Sequence, residues 1–209
     1  MTTPPTTTTT TLPTPILTTP RLLIRPYHPQ DVTSTHAAAS PASIHKYMSL
    51  AFAYPYTLQH AQTWVDMNLT PPFHHFVICE REKPDVAIGG IGAKPGIDVS
   101  SHTAELGYWI GEDYAGKGLM SEAVRAYVDW CFTEREHPPP AVAGAGGKLM
   151  RLHAGVFSGN AGSMRILQKT GFKPEGVWKE NVEKHGIVYD THFFGLTRRD
   201  WEEGRRKEA

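Results

Sequence analysis

Apolar and polar residues first alternate at LLIR, where Leu22 and Ile24 share one side and Leu23 and Arg25 the other before Pro26 stops the run. A period of two marks a strand. Asp31 then opens a short helix through Ala37 to Ala39, and Thr57 stands in N-cap position for a second helix through Trp64 and Val65 to about Leu69. Residues 76–80 and 86–93 read as strands joined by the turn-forming REKPD, a hairpin. In the strand Thr103–Ile110, alternation sends Ala104, Leu106, Tyr108 and Ile110 to a core and Glu105, Gly107 and Trp109 to the opposite face. The clearest helix follows it: Leu119, Met120, Ala123, Val124, Tyr127, Val128, Cys131 and Phe132 form one apolar stripe at helical spacing.

LMRLHAGVF is strand-like again, so strand, helix and strand make a crossover between parallel neighbours. NAGSMRILQKTGF gives a helix that Asn160 caps and Gly171 ends, and residues 177–182 and 187–196 form a long hairpin about Lys184-His185-Gly186. The elements add up to an α/β chain with a mixed sheet and helices on both faces, without internal repeats. Its 209 residues, 40% of them hydrophobic, suffice for one good core.

Composition sets the boundaries. MTTPPTTTTTTLPTPILTT carries no charged side chain and too little apolar surface to offset ordering, so residues 1–18 are expected to form a disordered Thr/Pro-rich tail. A mitochondrial presequence is disfavoured there, because no Arg precedes Arg21 and no amphipathic helix is visible. Residues 19–202 make the domain, with a Pro/Gly/Ala-rich loop insertion at 137–148 and a charged C-terminal tail at 203–209.

Lys+Arg and Asp+Glu balance at 21 each, so bulk charge recruits neither nucleic acid nor an anionic membrane, and the partner is expected to be small or local. Cys79 and Cys131 lack CxxC spacing and sit in apolar surroundings, which suggests buried reduced thiols. No apolar run approaches the roughly 20 residues that span a bilayer. Together these point to a soluble, cytoplasmic protein; whether it is a monomer or homodimer is left open by them.

Gly-Lys-Gly between a strand and a helix raises the question of chemistry. A helix N-terminus presents unpaired N–H groups that bind phosphate when the backbone comes close, and Gly116 and Gly118 remove the side chains that would block the approach. A tight turn with nothing bound is the plainer alternative. A P-loop is excluded, since GxxxxGK[ST] does not occur, and GKGLMS misses the dinucleotide pattern GxGxxG at Ser121. The eleven histidines form no HExxH and no Cys/His cluster, so no metal is expected; His74 and His75 adjoin at a strand entry, and His102 lies close to Glu105.

The blocks TPRLLIRP with Asp31, AELGYWIGEDYAGKGLMSEAV, NAGSMRILQKTGF and HGIVYDTHFFGLTRRDW, in this order, resemble the GNAT N-acetyltransferases of the RimJ/RimL-like branch. The resemblance runs from about Thr19 to Trp201 and implies a central twisted, mostly antiparallel sheet with one parallel splayed pair. It also implies acetyl-CoA as co-substrate. The family's pyrophosphate pattern Q/R-x-x-G-x-G/A falls on Ala115 to Met120; Ala115 removes a side-chain donor, so the amides of Gly116, Lys117, Gly118, Leu119, Met120 and Ser121 are left to hold phosphate. The strand around Trp109 and Ile110 is expected to splay, pair with the pantetheine arm and turn the Ile110 N–H toward the thioester oxygen.

On this reading Glu105 lies beside the acetyl group as general base, with a substrate-amine anchor or a solvated carboxylate as alternatives. Glu122, in the first helical turn, suits structural support. The family's usual thiolate acid is a tyrosine four residues before the Gly-Phe of NAGSMRILQKTGF, and that position is Leu167. Ser163, a serine common in the branch, is the substitute, with Asn160 either holding a water there or merely capping the helix. The implied activity is transfer of an acetyl group to a primary amine, a protein N-terminus or a small molecule, by direct attack in a ternary complex. A non-catalytic acyl-CoA-binding protein of the same fold is the alternative.

Overall fold

The structure, a computed structural model, describes residues 11–135 and 147–208. Strands β1 (Leu17–Thr18), β2 (Leu22–Arg25), β3 (His75–Glu80), β4 (Lys83–Pro95), β5 (Thr103–Ile110), β6 (Arg151–Phe157), β7 (Lys173–Lys184) and β8 (Ile187–Thr197) form one sheet in the order β1-β2-β3-β4-β5-β6-β8-β7. Every neighbour pairs antiparallel except β5 and β6, which run parallel. Helix α4 (Leu119–Thr133) makes the crossover between them, as the strand-helix-strand order requires.

One face of the sheet carries α4 and α5 (Ala161–Lys169), and the expected stripe of α4 is buried from Leu119 to Phe132 against Ala104, Leu106, Leu152, Ala154 and Leu167. The other face packs Leu23, Val77, Cys79 and Ala87 against α1 (Asp31–Ala39) and α3 (Leu58–Met67), whose Val32, Ala61 and Val65 are buried. Cys79 and Cys131 lie in these two separate cores, both as free thiols, and burial pushes them up to about 12 and about 11.

Local chemistry explains the joints. Thr57 caps α3 through a capping box with His60: Thr57 Oγ1 accepts from the His60 N–H, and His60 Nδ1 accepts from the Thr57 N–H at 3.1 Å. Arg25 ends β2 in a buried two-pronged pair with Asp31 at 2.7 and 2.8 Å, tying the first residue of α1 to the sheet. The closing hairpin turns on His185 and Gly186, both at positive φ (51° and 77°), as a two-residue turn requires.

Several boundaries move. Ordered structure begins before Thr19: β1 pairs with β2, the Ile16 N–H donates to the Ile24 carbonyl, and Ile16 and Leu17 pack against the core. The apolar ILTT end of the Thr/Pro segment therefore belongs to the sheet, while residues 1–10 of the expected tail lie outside the described residues. The REKPD turn shrinks to Arg81 and Glu82, because Lys83–Pro95 is strand throughout. The charged end is helical as α6 (Arg198–Glu208), held by the Trp201 indole donating to Asp129 at 2.6 Å and by Arg205 beside the same carboxylate. Most of the expected loop insertion, residues 137–146, lies outside the described residues. A short helix unanticipated from the pattern, α2 (Ala42–His45), precedes α3.

Candidate active site

The parallel pair opens after three residues. Thr103, Ala104 and Glu105 pair with Arg151, Leu152 and His153, and beyond them β5 stays with β4 while β6 stays with β8. Ladder alternation decides which backbone groups face the opening. The Gly111 N–H donates to the Ile88 carbonyl, so in this register the odd-numbered residues of β5 point at β4 and the Tyr108 and Ile110 groups face the gap. On the other arm, the Arg198 N–H bond to the Met150 carbonyl sets Gly155 and Phe157 toward the gap. The Ile110 backbone is thus turned to the gap. The Trp109 backbone is not: it belongs to the β4 ladder, and its indole lies over Gly90, where an added Cβ would meet Nε1 at 2.7 Å.

At the end of β5 the chain passes through a 3-10 turn (Glu112–Tyr114) into Gly116, Lys117 and Gly118, all exposed. Gly116 and Gly118 have φ of 74° and 78°, a left-handed conformation that favours glycine. Gly118 is the N-cap of α4 and no side chain caps it, so the Leu119, Met120 and Ser121 amides begin the helix without a carbonyl one turn earlier. The Leu119 and Met120 side chains are buried in the core, which leaves those residues their backbone alone.

A cation arrives from elsewhere in the chain. The Arg21 guanidinium donates to the Lys117 carbonyl at 3.1 Å and sits 3.6 Å from where a Gly118 Cβ would be, while its Nε donates to Glu122 at 2.7 Å. Glu122 also accepts from Thr19 Oγ1 at 2.6 Å and from the Arg21 N–H at 3.0 Å. Burial disfavours ionised Glu122, but these hydrogen bonds and the Arg21 charge outweigh it and hold its pKa below the ordinary carboxylate value. Glu122 is a structural latch, not a free carboxylate. Arg21 had no role in the sequence reading; only its approach to α4 reveals one.

Glu105 is exposed on the face opposite α4, between Lys94 of β4 and His153 of β6 in register. Nothing stands within 4 Å of a Cβ built on Gly107, so the space beside Glu105 is open. His153 is its histidine neighbour in the sheet, whereas His102 lies outside β5 and exposed. Burial lowers the His153 pKa, with Glu105 opposing and Arg151 assisting, which keeps the imidazole neutral near pH 7. Arg135 stands 3.4 Å from His74, while His75 lies on the Glu105 face with its ring over Gly92, the register partner of Gly107, and against Trp64, its pKa lowered by burial to about 4.

On the α5 side, Asn160 caps the helix by accepting from the Ser163 N–H at 3.2 Å. Ser163 Oγ lies 2.9 Å from the hydroxyl of Tyr108, a residue read from the sequence as core alone. Leu167 is fully buried. Above the opposite face the segment between α1 and α3 closes over: Phe52 meets the Trp109 ring edge-on, Tyr47 reaches Gly159, and buried Lys184 of the hairpin donates to the His45 and Met48 carbonyls. Around this segment and the hairpin, Tyr27, Tyr56 and His45 are buried, Trp64 packs on Tyr27, Tyr189 stacks on Phe157, and Tyr54 and Trp178 remain exposed. Among the described residues, no group of three or more His, Cys, Asp or Glu stands ready for a metal ion, and no helix is long and apolar enough to cross a membrane.

A forked parallel pair that ends in an uncapped, glycine-flanked helix is a cradle for an extended ligand with phosphate at one end. Residues 21–173 match the model of the Acetyltransferase (GNAT) domain. The chain is 36% identical over 130 residues to Probable N-acetyltransferase YjcK of Bacillus subtilis (strain 168), covering 62% of this chain and 65% of that protein. It is 32% identical over 106 residues to the [Ribosomal protein uS5]-alanine N-acetyltransferase of Escherichia coli (strain K12), covering 51% and 48%. Among solved structures, RimL, the ribosomal L7/L12 alpha-N-protein acetyltransferase in complex with coenzyme A, shares the fold with a TM-score of 0.70 at 17% identity, over 88% of this chain and 98% of that one. With its family match, its forked sheet and its glycine-flanked helix start, the chain belongs to the GNAT acetyltransferase family.

Proposed function

We propose that this protein transfers the acetyl group of acetyl-CoA to a primary amine by direct attack in a ternary complex. The observation that carries the reading is the fork between β5 and β6, with Glu105 on one face of the sheet and Ser163 on the other. Acetyl-CoA, the co-substrate of such a reaction, supplies an activated thioester. The uncapped amides of Leu119 to Ser121, with Gly116, Lys117 and Gly118, hold its pyrophosphate, and Arg21 supplies the charge that Ala115 lacks. The Ile110 N–H donates to the thioester oxygen as negative charge develops there. Glu105 takes the amine proton directly or through water. The Ser163 hydroxyl is the donor to the departing sulfur, and Asn160 fixes the helix turn that carries it.

Base and sulfur donor on opposite faces suit addition of the amine to the thioester carbonyl from the Glu105 side, followed by collapse of the tetrahedral oxyanion with the thiolate leaving on the α5 side. The relative that acetylates the uS5 alanine makes a protein or peptide α-amine the first acceptor to test, with small-molecule amines next. A balanced charge of 21 against 21 supports no nucleic-acid partner, and buried reduced thiols support a cytoplasmic site of action. The second reading, an acyl-CoA-binding protein without turnover, is favoured by Leu167 at the usual tyrosine position. A screen of peptide N-termini and small amines by release of free CoA separates the two: turnover of any amine supports the enzyme, and tight acetyl-CoA binding with no turnover supports the sensor.

A further inference from the structure

We propose that Tyr108 is a positioning residue for acyl transfer, its hydroxyl turning the Ser163 O–H toward the departing sulfur. The inference rests on the acyl-donor reading above. Tyr108 leaves β5 on the α5 side of the sheet, just where β5 has lost β6 as a neighbour. Its hydroxyl is 2.9 Å from Ser163 Oγ and 3.3 Å from the Ser163 carbonyl oxygen. Ser163 lies in the first turn of α5, which follows β6 within a few residues. The contact therefore joins the two arms of the fork on one face, beside the Tyr108 and Ile110 backbone groups that face the gap.

Two arrangements of the hydroxyl hydrogens fit these distances. In the first, Ser163 donates to the phenol oxygen and Tyr108 donates to the Ser163 carbonyl, so both hydrogens are used inside the protein. In the second, Tyr108 donates to Ser163 Oγ and the serine hydrogen is free for another acceptor. Burial pushes the Tyr108 pKa up to about 12, although the Ser163 hydrogen bond opposes it, so the phenol stays neutral and remains a donor. A sulfur gaining negative charge selects the second arrangement, because it then receives a hydrogen bond from a hydroxyl that is itself polarised by a donor behind it. The electron pair of the C–S bond leaves with sulfur, the amine proton goes to Glu105, and the thiolate takes its proton from solvent on release, so Tyr108 gains and loses none.

Coenzyme A itself is the probe, because its free thiol reports this hydrogen bond without an acceptor. Ultraviolet absorbance of the thiolate is titrated with CoA free and bound to the wild-type protein, Tyr108→Phe, Ser163→Ala and the double variant. In the wild type the bound thiol should titrate about one unit below free CoA. Tyr108→Phe and Ser163→Ala should each return it toward the free value, the double variant should add nothing to Ser163→Ala, and Ser163→Thr, which keeps a hydroxyl, should retain the shift. With an acceptor in hand, kcat of Tyr108→Phe should fall roughly tenfold, as for loss of one hydrogen bond, with KM for acetyl-CoA unchanged. A folded Tyr108→Phe protein with the wild-type thiol titration overturns the proposal, as does an unshifted thiol in the wild type. Failure of the wild type to bind CoA at all is a separate result that removes the acyl-donor reading beneath it.

Discussion

At the scale of single residues, Glu105, exposed beside the open space at Gly107, is the proposed proton acceptor. Glu105→Gln keeps size and hydrogen bonding but not basicity, so kcat should fall by roughly 10² to 10⁴. Part of the rate should return at alkaline pH, where solvent supplies more neutral amine. A pH–rate series on both proteins checks this, and a variant with wild-type kcat at every pH removes Glu105 from the mechanism, whereas raised acceptor KM with kcat intact marks an anchor. The buried pair of Arg25 and Asp31 is the second decisive residue-scale feature. Arg25→Met would leave Asp31 charged and unpaired in the interior, and should lower unfolding free energy by about 3–5 kcal/mol in a denaturant titration.

At the scale of elements, the start of α4 joins cofactor chemistry to the N-terminal strands. Gly118→Asn keeps a residue that tolerates left-handed backbone while adding a side chain in the path of phosphate. Calorimetry should show acetyl-CoA affinity weakened at least roughly tenfold, the loss of about one good hydrogen bond to charge, with melting temperature nearly unchanged. Unaltered affinity would move the pyrophosphate elsewhere. The Thr19–Arg21–Glu122 latch has a pH signature. Because the folded pKa of Glu122 is depressed, its contribution is fully present above the unfolded value of about 4.3 and is lost as pH falls through the lower folded value. Glu122→Gln should therefore reduce the melting temperature at pH 7 and make its decline on acidification shallower than in the wild type; parallel melting curves from pH 7 to 3 would argue against the latch.

For the molecule as a whole, β1 makes the segment before Thr19 part of the sheet. Deleting residues 1–18 removes the Leu17–Thr18 pairing and uncovers Ile24 and part of the core beneath Ile16 and Leu17. The loss of two apolar contacts and a few backbone hydrogen bonds should cost about 1–3 kcal/mol and lower the melting temperature by several degrees. Deletion of residues 1–10 alone is the control: if it lowers the melting temperature as much, the stabilising contact lies earlier in the chain than β1.

Local periods made much of this legible without a structure. Thr103–Ile110 and the apolar stripe of α4 repeat at spacings set by backbone geometry alone, so their faces follow from the order of side chains. The glycines at 116 and 118 carried a backbone requirement that few other residues meet, and Thr57, Asn160 and Gly171 marked helix ends through hydrogen bonds or positive φ close by in the chain. What the tertiary structure alone decided lies where partners are distant. The two residues of β1 are too short to show a period, and their strand exists because β2 is there to pair with them. The Trp109 backbone was assigned to the fork, but only ladder register reveals that it bonds β4. Arg21 reaches α4 across about a hundred residues, and Tyr108 meets Ser163 across 55. A tyrosine in an apolar stripe counts as a hydrophobe in any pattern, since alternation reports the direction of a side chain and not what waits at its hydroxyl; that is settled by which helix packs against which strand.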